Sequence, residues 1–176
     1  MKLHNLEDLY MDQLKDLYSA EKQLVQALPN MAEAATSKEL RQGFQDHLEQ
    51  TLTHVARLQQ IFTRRDTLPG RRKCEAMEAL IRQGEHAVTL PDDDMVRDAA
   101  LIGVARRVEH YEIAAYGTVR TYANHLGFKD DRDLLQQTLD EEGETDTKLI
   151  DIAEGSFLNA GVNEKANHTE PALAQS

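Results

Sequence analysis

Two glutamates three residues apart stand on the apolar stripe of a long helical segment of this chain. Counted in alternating steps of three and four from Ile102, the stripe holds Ile102, Ala105, Glu109, Glu112, Tyr116, Val119, Ala123 and Leu126. Six of these are residue types of a bundle core, whereas Glu109 and Glu112 are acids. A buried carboxylate costs several kcal/mol unless something compensates it. The pair therefore predicts a metal ion, a basic partner or protonation inside the bundle.

Two other segments carry acids at equivalent positions. Glu21 lies one turn after Leu17 and one turn before Leu24 on the stripe of the first helical segment. Glu142 occupies an inward position of the last long segment, and Asp146 follows it one turn later. Each glutamate lies near the middle of its helix, so an antiparallel bundle brings them to a similar depth. Clustered carboxylates repel each other without a cation, which favours a pair of metal ions bridged by glutamates.

The second helical segment offers less certain candidates. Its apolar stripe is read as Phe44, Leu48, Leu52, Val55, Leu58 and Phe62. Glu49 flanks this stripe and could turn inward beside Glu21, so it is a fifth glutamate candidate. His54 lies on the opposite flank and is a further candidate ligand, although a lone histidine is more often a surface or hydrogen-bonded residue. Which flank of this helix contributes a ligand therefore stays open.

Four long amphipathic helices must position these side chains. Asn5 and Ser37 are expected N-caps, Pro29 is expected just past the end of the first helix, and Gly127 just past the third. A short additional helix is expected over residues 74–86. Hydrophobic periodicity predicts the four long helices over residues 5–28, 38–63, 94–126 and 130–157.

The lengths of the connections predict the topology. Residues 29–37 and 127–129 are short enough to join antiparallel neighbours, whereas the connection over residues 64–93 is long. One long crossover between the second and third helices is typical of ferritin-like proteins, since an up-down-up-down bundle would have three short loops. We therefore expect an all-α, ferritin-like antiparallel four-helix bundle over residues 1–160 and a disordered polar tail over residues 161–176.

The composition narrows the class of protein. The chain has 176 residues, 40% hydrophobic residues and a formal net charge of -11, and no apolar run is long enough to cross a bilayer. This charge argues against a direct nucleic-acid partner, because phosphate binding depends on clustered Lys and Arg. Cys74 is the only cysteine and the first residues have no signal-peptide core, so we expect a cytoplasmic protein without a membrane partner.

Several uncommon strings carry a family resemblance. They are DLYSAEKQL from Asp16, HLE from His47, VRDAALI from Val96, VEHYEIAAYGT from Val108, and the segment from Leu139 to Leu149. In this order, and over about residues 3–155, they resemble the YciE/YciF family of ferritin-like proteins. The resemblance implies a stress-associated protein that tends to dimerise and that carries a di-metal or ferroxidase-type site.

The wider ferritin-like pattern implies a set of metal ligands. Its first helix supplies a glutamate, its third helix a Glu-x-x-Glu pair, and its second and fourth helices each a Glu-x-x-His pair. Leu52 and Thr145 stand at the two histidine positions here, so His54 or Asp146 could substitute for an imidazole. The implied metal ligands are Glu21, Glu49, Glu109, Glu112, Glu142, Asp146 and His54.

Three functional hypotheses follow. The first is a carboxylate-bridged protein with two metal ions, iron or alternatively manganese, that oxidises Fe(II) or reduces oxygen or peroxide during stress. Tyr116 would be a redox or hydrogen-bonding neighbour, although tyrosine commonly packs in a core. The second is a non-enzymatic, dimeric helical bundle whose metal site is structural, degenerate or empty. The third is a protein-interaction module. Whether the chain is an enzyme stays open, and a homodimer is the expected assembly.

Overall fold

Long helices form most of the fold in the structure, which is a computed structural model and describes residues 3–90, 93–156 and 159–167. The helices are α1 (Leu6–Ala34), α2 (Lys38–Arg64), α3 (Glu75–Val88), α4 (Asp94–His125), α5 (Lys129–Glu154) and α6 (Val162–Asn167). After α5, the two-residue strands β1 (Gly155–Ser156) and β2 (Asn159–Ala160) pair antiparallel. The predicted all-α class is confirmed. Within the described ranges, no helix is long and apolar enough to span a membrane.

Contacts at the two ends of the bundle fix the direction of each helix. At one end Asp98, near the start of α4, accepts hydrogen bonds from the backbone N–H groups of Thr36 and Ser37, between α1 and α2. At the other end Asp131, in the first turn of α5, accepts from the hydroxyl of Tyr10 and the guanidinium of Arg65. Consequently α2 and α4 run in the same direction, and their connection crosses the length of the bundle. This is the ferritin-like topology, and it confirms the predicted fold class.

The short helix α3 lies in the crossover and packs on α1 and α4. Its N-cap is Cys74, whose buried thiol lies 3.0 Å from the hydroxyl of Tyr111 on α4. The backbone N–H of Cys74 donates to the hydroxyl of Ser19 on α1, and Met77 is fully buried. These contacts hold the predicted crossover helix against one side of the bundle.

The first helix continues past Pro29, which corrects the boundary expected from the sequence. The prediction ends this helix at residue 28, but α1 runs to Ala34 with Pro29 inside it. Proline lacks the N–H that would bond to the carbonyl one turn earlier, and this loss usually ends or kinks a helix. Here the following turn buries Met31 and Ala32 in the core, and their burial favours continuation.

Local capping explains the other helix boundaries. Asn5 and Ser37 are the N-caps of α1 and α2, as predicted, and their side chains accept hydrogen bonds from backbone N–H groups one turn later. After α4, Gly127 adopts a left-handed φ of 75°, a conformation that favours glycine. The chain therefore reverses sharply between α4 and α5, as their short connection predicts.

The segment after α5 is more ordered than the sequence predicts. The last long helix was expected to reach residue 157 and disorder to begin at residue 161, whereas α5 ends at Glu154 and a short hairpin leads into α6. Val162 is 2% exposed where α6 packs against α4 and α5. At Gly161 an added Cβ would lie 2.3 Å from the carbonyl carbon of Glu154, so the chain returns very close to the end of α5. Residues 168–176 of the predicted tail lie outside the described residues.

The apolar core has two halves with a polar layer between them. On each long helix, one residue of the first half and one of the second half flank this layer. The pairs, with the first-half residue named first, are Leu24 and Leu17 on α1, Phe44 and Leu58 on α2, Val108 and Tyr116 on α4, and Leu149 and Leu135 on α5. Burial of apolar surface stabilises the fold by about 25 cal/mol per Å². The two apolar halves therefore offset the unfavourable burial of the polar groups between them.

Candidate metal centre

Four glutamates from three helices converge in the polar layer. Glu21 comes from α1, Glu109 and Glu112 from α4, and Glu142 from α5, and none is more than 1% exposed. Each occupies the inward stripe of its helix, and the helices bring the four carboxylates to the same depth of the bundle. The predicted inward direction of these four side chains is confirmed.

The second helix contributes two histidines to the layer instead of the expected glutamate. Glu49 is exposed and Leu52 is 51% exposed, so the expectation that Glu49 turns inward is wrong. His54 is fully buried and His47 is 4% exposed. The buried face of α2 is rotated relative to the predicted stripe, and it includes Leu40, Phe44, His47, Thr51, His54, Leu58 and Ile61.

Sequence reasoning left His47 out of the ligand set, although a signal was present. The buried face of α2 has spacings that alternate regularly between four and three, which is the pattern of a core stripe. Two histidines and a threonine interrupt its apolar character, and neither residue type is among those most often buried. Hydrophobicity alone therefore favoured the wrong face of this helix.

The buried acids and histidines form two groups that share one residue. We call them the His54 group and the His47 group. In each group, one ligand atom from every member lies within 4.8 Å of those of the others. Each group contains one imidazole, and Glu142 belongs to both. The His54 group consists of Glu21, His54 and Glu142, and the His47 group consists of His47, Glu109, Glu112 and Glu142.

His54 is held in a defined orientation by contacts on both ring nitrogens. Its Nδ1 lies 3.0 Å from Oε1 of Glu142 and 3.5 Å from Oε1 of Glu21. Neither of these two contacts is a hydrogen bond. Its Nε2 lies 2.8 Å from Oε2 of Glu141. Arg57 in turn donates to both oxygens of Glu141, at 2.6 and 2.8 Å. A carboxylate that fixes the outer nitrogen of a histidine is typical of metal sites, and it was not anticipated from the sequence.

Most of the unpaired buried polar atoms belong to this cluster. Among the described residues, eleven buried side-chain nitrogen and oxygen atoms lack a hydrogen-bond partner, and nine of them lie in the two groups. They include both oxygens of Glu112 and of Glu142 and both ring nitrogens of His47. An unpaired buried polar group costs about 1–3 kcal/mol, so this concentration is unfavourable unless a cation binds there. Carboxylate oxygens and imidazole nitrogens are ligands of metal ions, so the donor set of these residues could hold a metal ion.

Burial and repulsion favour protonation of part of the cluster in the metal-free protein. Burial, and then the charge of Glu142, raise the pKa of Glu109 and of Glu112 well above the ordinary value. Burial also disfavours the charged form of His54, but the adjacent carboxylates of Glu142 and Glu21 raise its pKa to about 10. Without a metal ion, His54 is therefore the positive charge that faces these acids.

Tyr116 closes the His54 side of the cluster. It is fully buried, and its hydroxyl donates a short hydrogen bond to Oε1 of Glu21. Its ring packs edge to face against the ring of His54, with 6.3 Å between the two ring centroids. Burial and the charge of Glu21 raise the pKa of this phenol well above its usual value, so it stays protonated. Tyr116 both fills the core and fixes the Glu21 carboxylate, which agrees with the predicted core packing and hydrogen bonding.

The candidate ligand Asp146 lies outside the cluster, and Thr145 occupies one of the two expected histidine positions. Asp146 is half-buried and pairs with Arg106 at 2.9 Å and with His110 at 3.2 Å. These partners draw its carboxylate toward α4 and away from Glu142, so the structure does not bring Asp146 into either group. Thr145, at a position where related bundles carry histidine, is buried and its hydroxyl lies 3.3 Å from Oε1 of Gln50.

Replacing Glu109 and Glu112 by glutamine tests the repulsion in the metal-free protein. The pKa values of these two carboxyls in the folded protein are raised above 4.5, so the carboxyls favour the folded state at low pH. This contribution to stability is lost as the pH rises through their folded-state pKa values. The double variant is expected to keep its stability or gain up to about 2 kcal/mol at neutral pH. It should also lose less stability than the wild type between pH 5 and pH 8. Thermal unfolding in chelator checks this, with exposed Glu144→Gln as the control, and a large destabilisation would contradict it.

The crossover topology and the buried carboxylate–imidazole cluster together define a ferritin-like four-helix-bundle protein. A family model described as "Domain of unknown function (DUF892)" matches residues 5–167, and the chain belongs to this family.

Relatives of known structure agree with this assignment. The chain is 43% identical to Protein YciF of Escherichia coli strain K12 over 169 residues, which cover 96% of this chain and 99% of YciF. The crystal structure of the E. coli stress protein YciF matches with a TM-score of 0.82, covering 85% of this chain and 94% of that chain. YcfI from Rhodopseudomonas palustris matches with a TM-score of 0.83 and 39% identity, covering 86% and 97%. The family resemblance found in the sequence is thus confirmed.

Proposed function

We propose that the chain binds two divalent metal ions, iron or alternatively manganese, one at the His54 group and one at the His47 group. The observation that carries this proposal is the set of nine unpaired buried atoms on two groups that share Glu142. Each ion would have an imidazole from α2 and carboxylates from the other helices. A donor set of imidazole and carboxylate is one that iron and manganese accept.

The residues around the centre would prepare it for redox chemistry. When bound, two Fe(II) ions supply one electron each, and with two protons these reduce dioxygen to hydrogen peroxide or hydrogen peroxide to two water molecules. Glu141 and Arg57 hold the Nε2 side of His54, which leaves Nδ1 directed at the His54 group. Tyr116 fixes Glu21 and excludes water from that side. The description of E. coli YciF as a stress protein supports a role in the stress response.

Anaerobic titration with Fe(II) tests the proposal. Metal-free protein should bind two irons per chain, one for each group, and admission of oxygen should then produce an oxo-ferric absorption band. His47→Gln should weaken binding of one iron and reduce the band, because it removes the only imidazole of its group. Glu144→Gln, an exposed change on α5, is the matched control and should behave as wild type. Absence of saturable Fe(II) binding to the wild type would rule out the proposed centre.

A structural role of the same metal pair is the second candidate function. The low exposure of the cluster, at most 4% for any member, favours it, and YcfI of R. palustris is described, provisionally, as a structural protein. In that case iron and manganese would bind and stabilise the fold, but the iron-loaded protein would not react with oxygen. The oxygen step of the titration separates this function from the redox one.

We also propose that the protein forms a homodimer in the cytoplasm. The family resemblance implies the dimer, and the large exposed side chain of Leu52 on α2 offers apolar surface for it. A single buried cysteine, Cys74, suits a reducing compartment. Light scattering of the full chain measures the assembly directly, and a monomer at micromolar concentration would contradict the dimer.

A further inference from the structure

A narrow pocket opens along the contact between α2 and α5, which we call the α2–α5 seam, and ends at the His47 group. Exposed Asp46 and Lys148 border its outer end, and buried His47 and Glu109 form part of its inner end. Among the described residues, its wall includes these two members of the His47 group and no member of the His54 group. The two proposed metal positions are therefore unequal, because the pocket reaches only one of them.

The pocket is small and mainly apolar. Its volume is about 30 Å³, which holds one or two molecules of the size of water, since each needs roughly 10–15 Å³. Polar groups are concentrated at its mouth and at its inner end. The apolar part of the wall includes Leu24, Leu28, Phe44, Ala105, Val108 and Leu149.

A glycine keeps the mouth of the pocket open. At Gly43 on α2, an added Cβ would already touch Cδ1 of Ile152 on α5, at 3.6 Å. Because Gly43 and Ile152 both line the pocket, we expect a longer side chain at position 43 to occupy its mouth. Farther along the seam, Thr145 meets Gln50 and Arg57 binds Glu141, so side chains from both helices close it there. The opening is thus limited to the stretch between Gly43 and Gln50, where Asp46 and Lys148 border it.

We propose that this pocket admits dioxygen to the His47 group and that Gly43 and Ile152 set its width. The inference rests on the proposed metal centre and adds the identity of its oxidant. Dioxygen forms no strong hydrogen bonds with water and loses little on entering an apolar passage. Hydrogen peroxide would leave its hydrogen-bonding groups unpaired along the same wall, which is unfavourable. The lining therefore favours dioxygen over peroxide as the oxidant that reaches this metal position.

Xenon binding to the metal-free protein tests the pocket without any metal chemistry. Xenon enters dry apolar cavities, so the wild type should show a saturable xenon NMR shift and perturbed methyl resonances of Ile152 and Val108. Gly43→Leu should lose both effects because its side chain fills the mouth. Ile152→Ala should bind xenon at least as well, and Gly117→Leu, where an added Cβ meets no atom within 4 Å, should match the wild type. No xenon effect at these methyl groups in the wild type would overturn the pocket.

Oxygen kinetics of the iron-loaded protein test the route. Gly43→Leu should still bind two irons per chain but react with dioxygen about tenfold more slowly or worse, because access then limits the rate. The wild type should react faster with dioxygen than with hydrogen peroxide at equal concentration. Normal iron binding with an unchanged dioxygen rate in Gly43→Leu would overturn the route alone. Failure of iron binding in the wild type would instead remove the metal centre while leaving the xenon result in place.

Discussion

Excess Mn(II) will raise the unfolding midpoint of the metal-free protein by about 8–16 °C. A ligand at a thousand times its dissociation constant stabilises the folded state by about 4 kcal/mol, and each kcal/mol shifts the midpoint of a chain of this size by about 2–4 °C. We expect a large shift because the folded protein contains a cluster of buried carboxylates that the proposed ions would neutralise. Thermal unfolding in chelator, and then in increasing Mn(II), measures it.

Glu142→Gln should abolish most of this metal-dependent shift. Glu142 belongs to both groups, so its carboxylate contributes to both proposed positions. Glu144→Gln removes the same charge from an exposed position of the same helix and should leave the shift intact. A Mn(II) shift of equal size in Glu142→Gln would show that the ions bind elsewhere on this acidic chain.

Replacing Arg65 by methionine will destabilise the protein by about 3 kcal/mol and lower its unfolding midpoint by about 6–12 °C. Asp131 is fully buried and lies 2.7 Å from Nε of Arg65, and its second oxygen lies 3.5 Å from Arg64. Without Arg65 the carboxylate loses its best partner and remains buried. We take the lower end of the range for buried pairs because the Arg65 side chain is 22% exposed and Arg64 is close by.

A double-mutant cycle separates the ion pair from the packing of the arginine. The guanidinium of Arg65 also lies 3.3 Å above the ring of Phe128, and methionine retains part of that contact. Arg65→Met combined with Asp131→Asn should recover part of the lost stability, because no unpaired charge then remains buried. Arg71→Met, at an exposed position, is the control and should change stability by less than about 0.5 kcal/mol. If the single and double variants are equally unstable, packing rather than charge explains the loss.

Hydrophobic periodicity and loop length predicted the architecture because they act at the scale of whole helices. The long connection between the second and third long helices indicated the ferritin-like crossover, and the structure has it. The error at Pro29 has a local cause, since proline weakens one turn of a helix but the burial of Met31 and Ala32 compensates it. Likewise, the burial of Val162 orders a short helix in a segment that is polar overall.

The carboxylates of the candidate site were easier to predict than its histidines. Glu21 interrupts a stripe that is otherwise clearly apolar, and Glu142 lies on the same helix face as Leu135 and Leu149, so their inward direction follows from apolar residues on the same face. The stripe of α2 carries His47, Thr51 and His54 at adjacent inward positions, so apolar residues alone could not identify the buried face. The contact between His54 and Glu141 joins two helices far apart in sequence, and periodicity along one helix carries no information about it.

The membership of Glu142 in both groups makes the two proposed positions thermodynamically linked. Binding of the first ion would order this shared carboxylate and so change the affinity for the second ion. Because coupling between sites is reciprocal, each ion would change the affinity for the other by the same factor. A first ion that fixes Glu142 and relieves part of the repulsion leaves less unfavourable work for the second. The centre would then fill cooperatively. When metal is scarce, such a population divides into empty and fully loaded molecules, with few that hold a single ion.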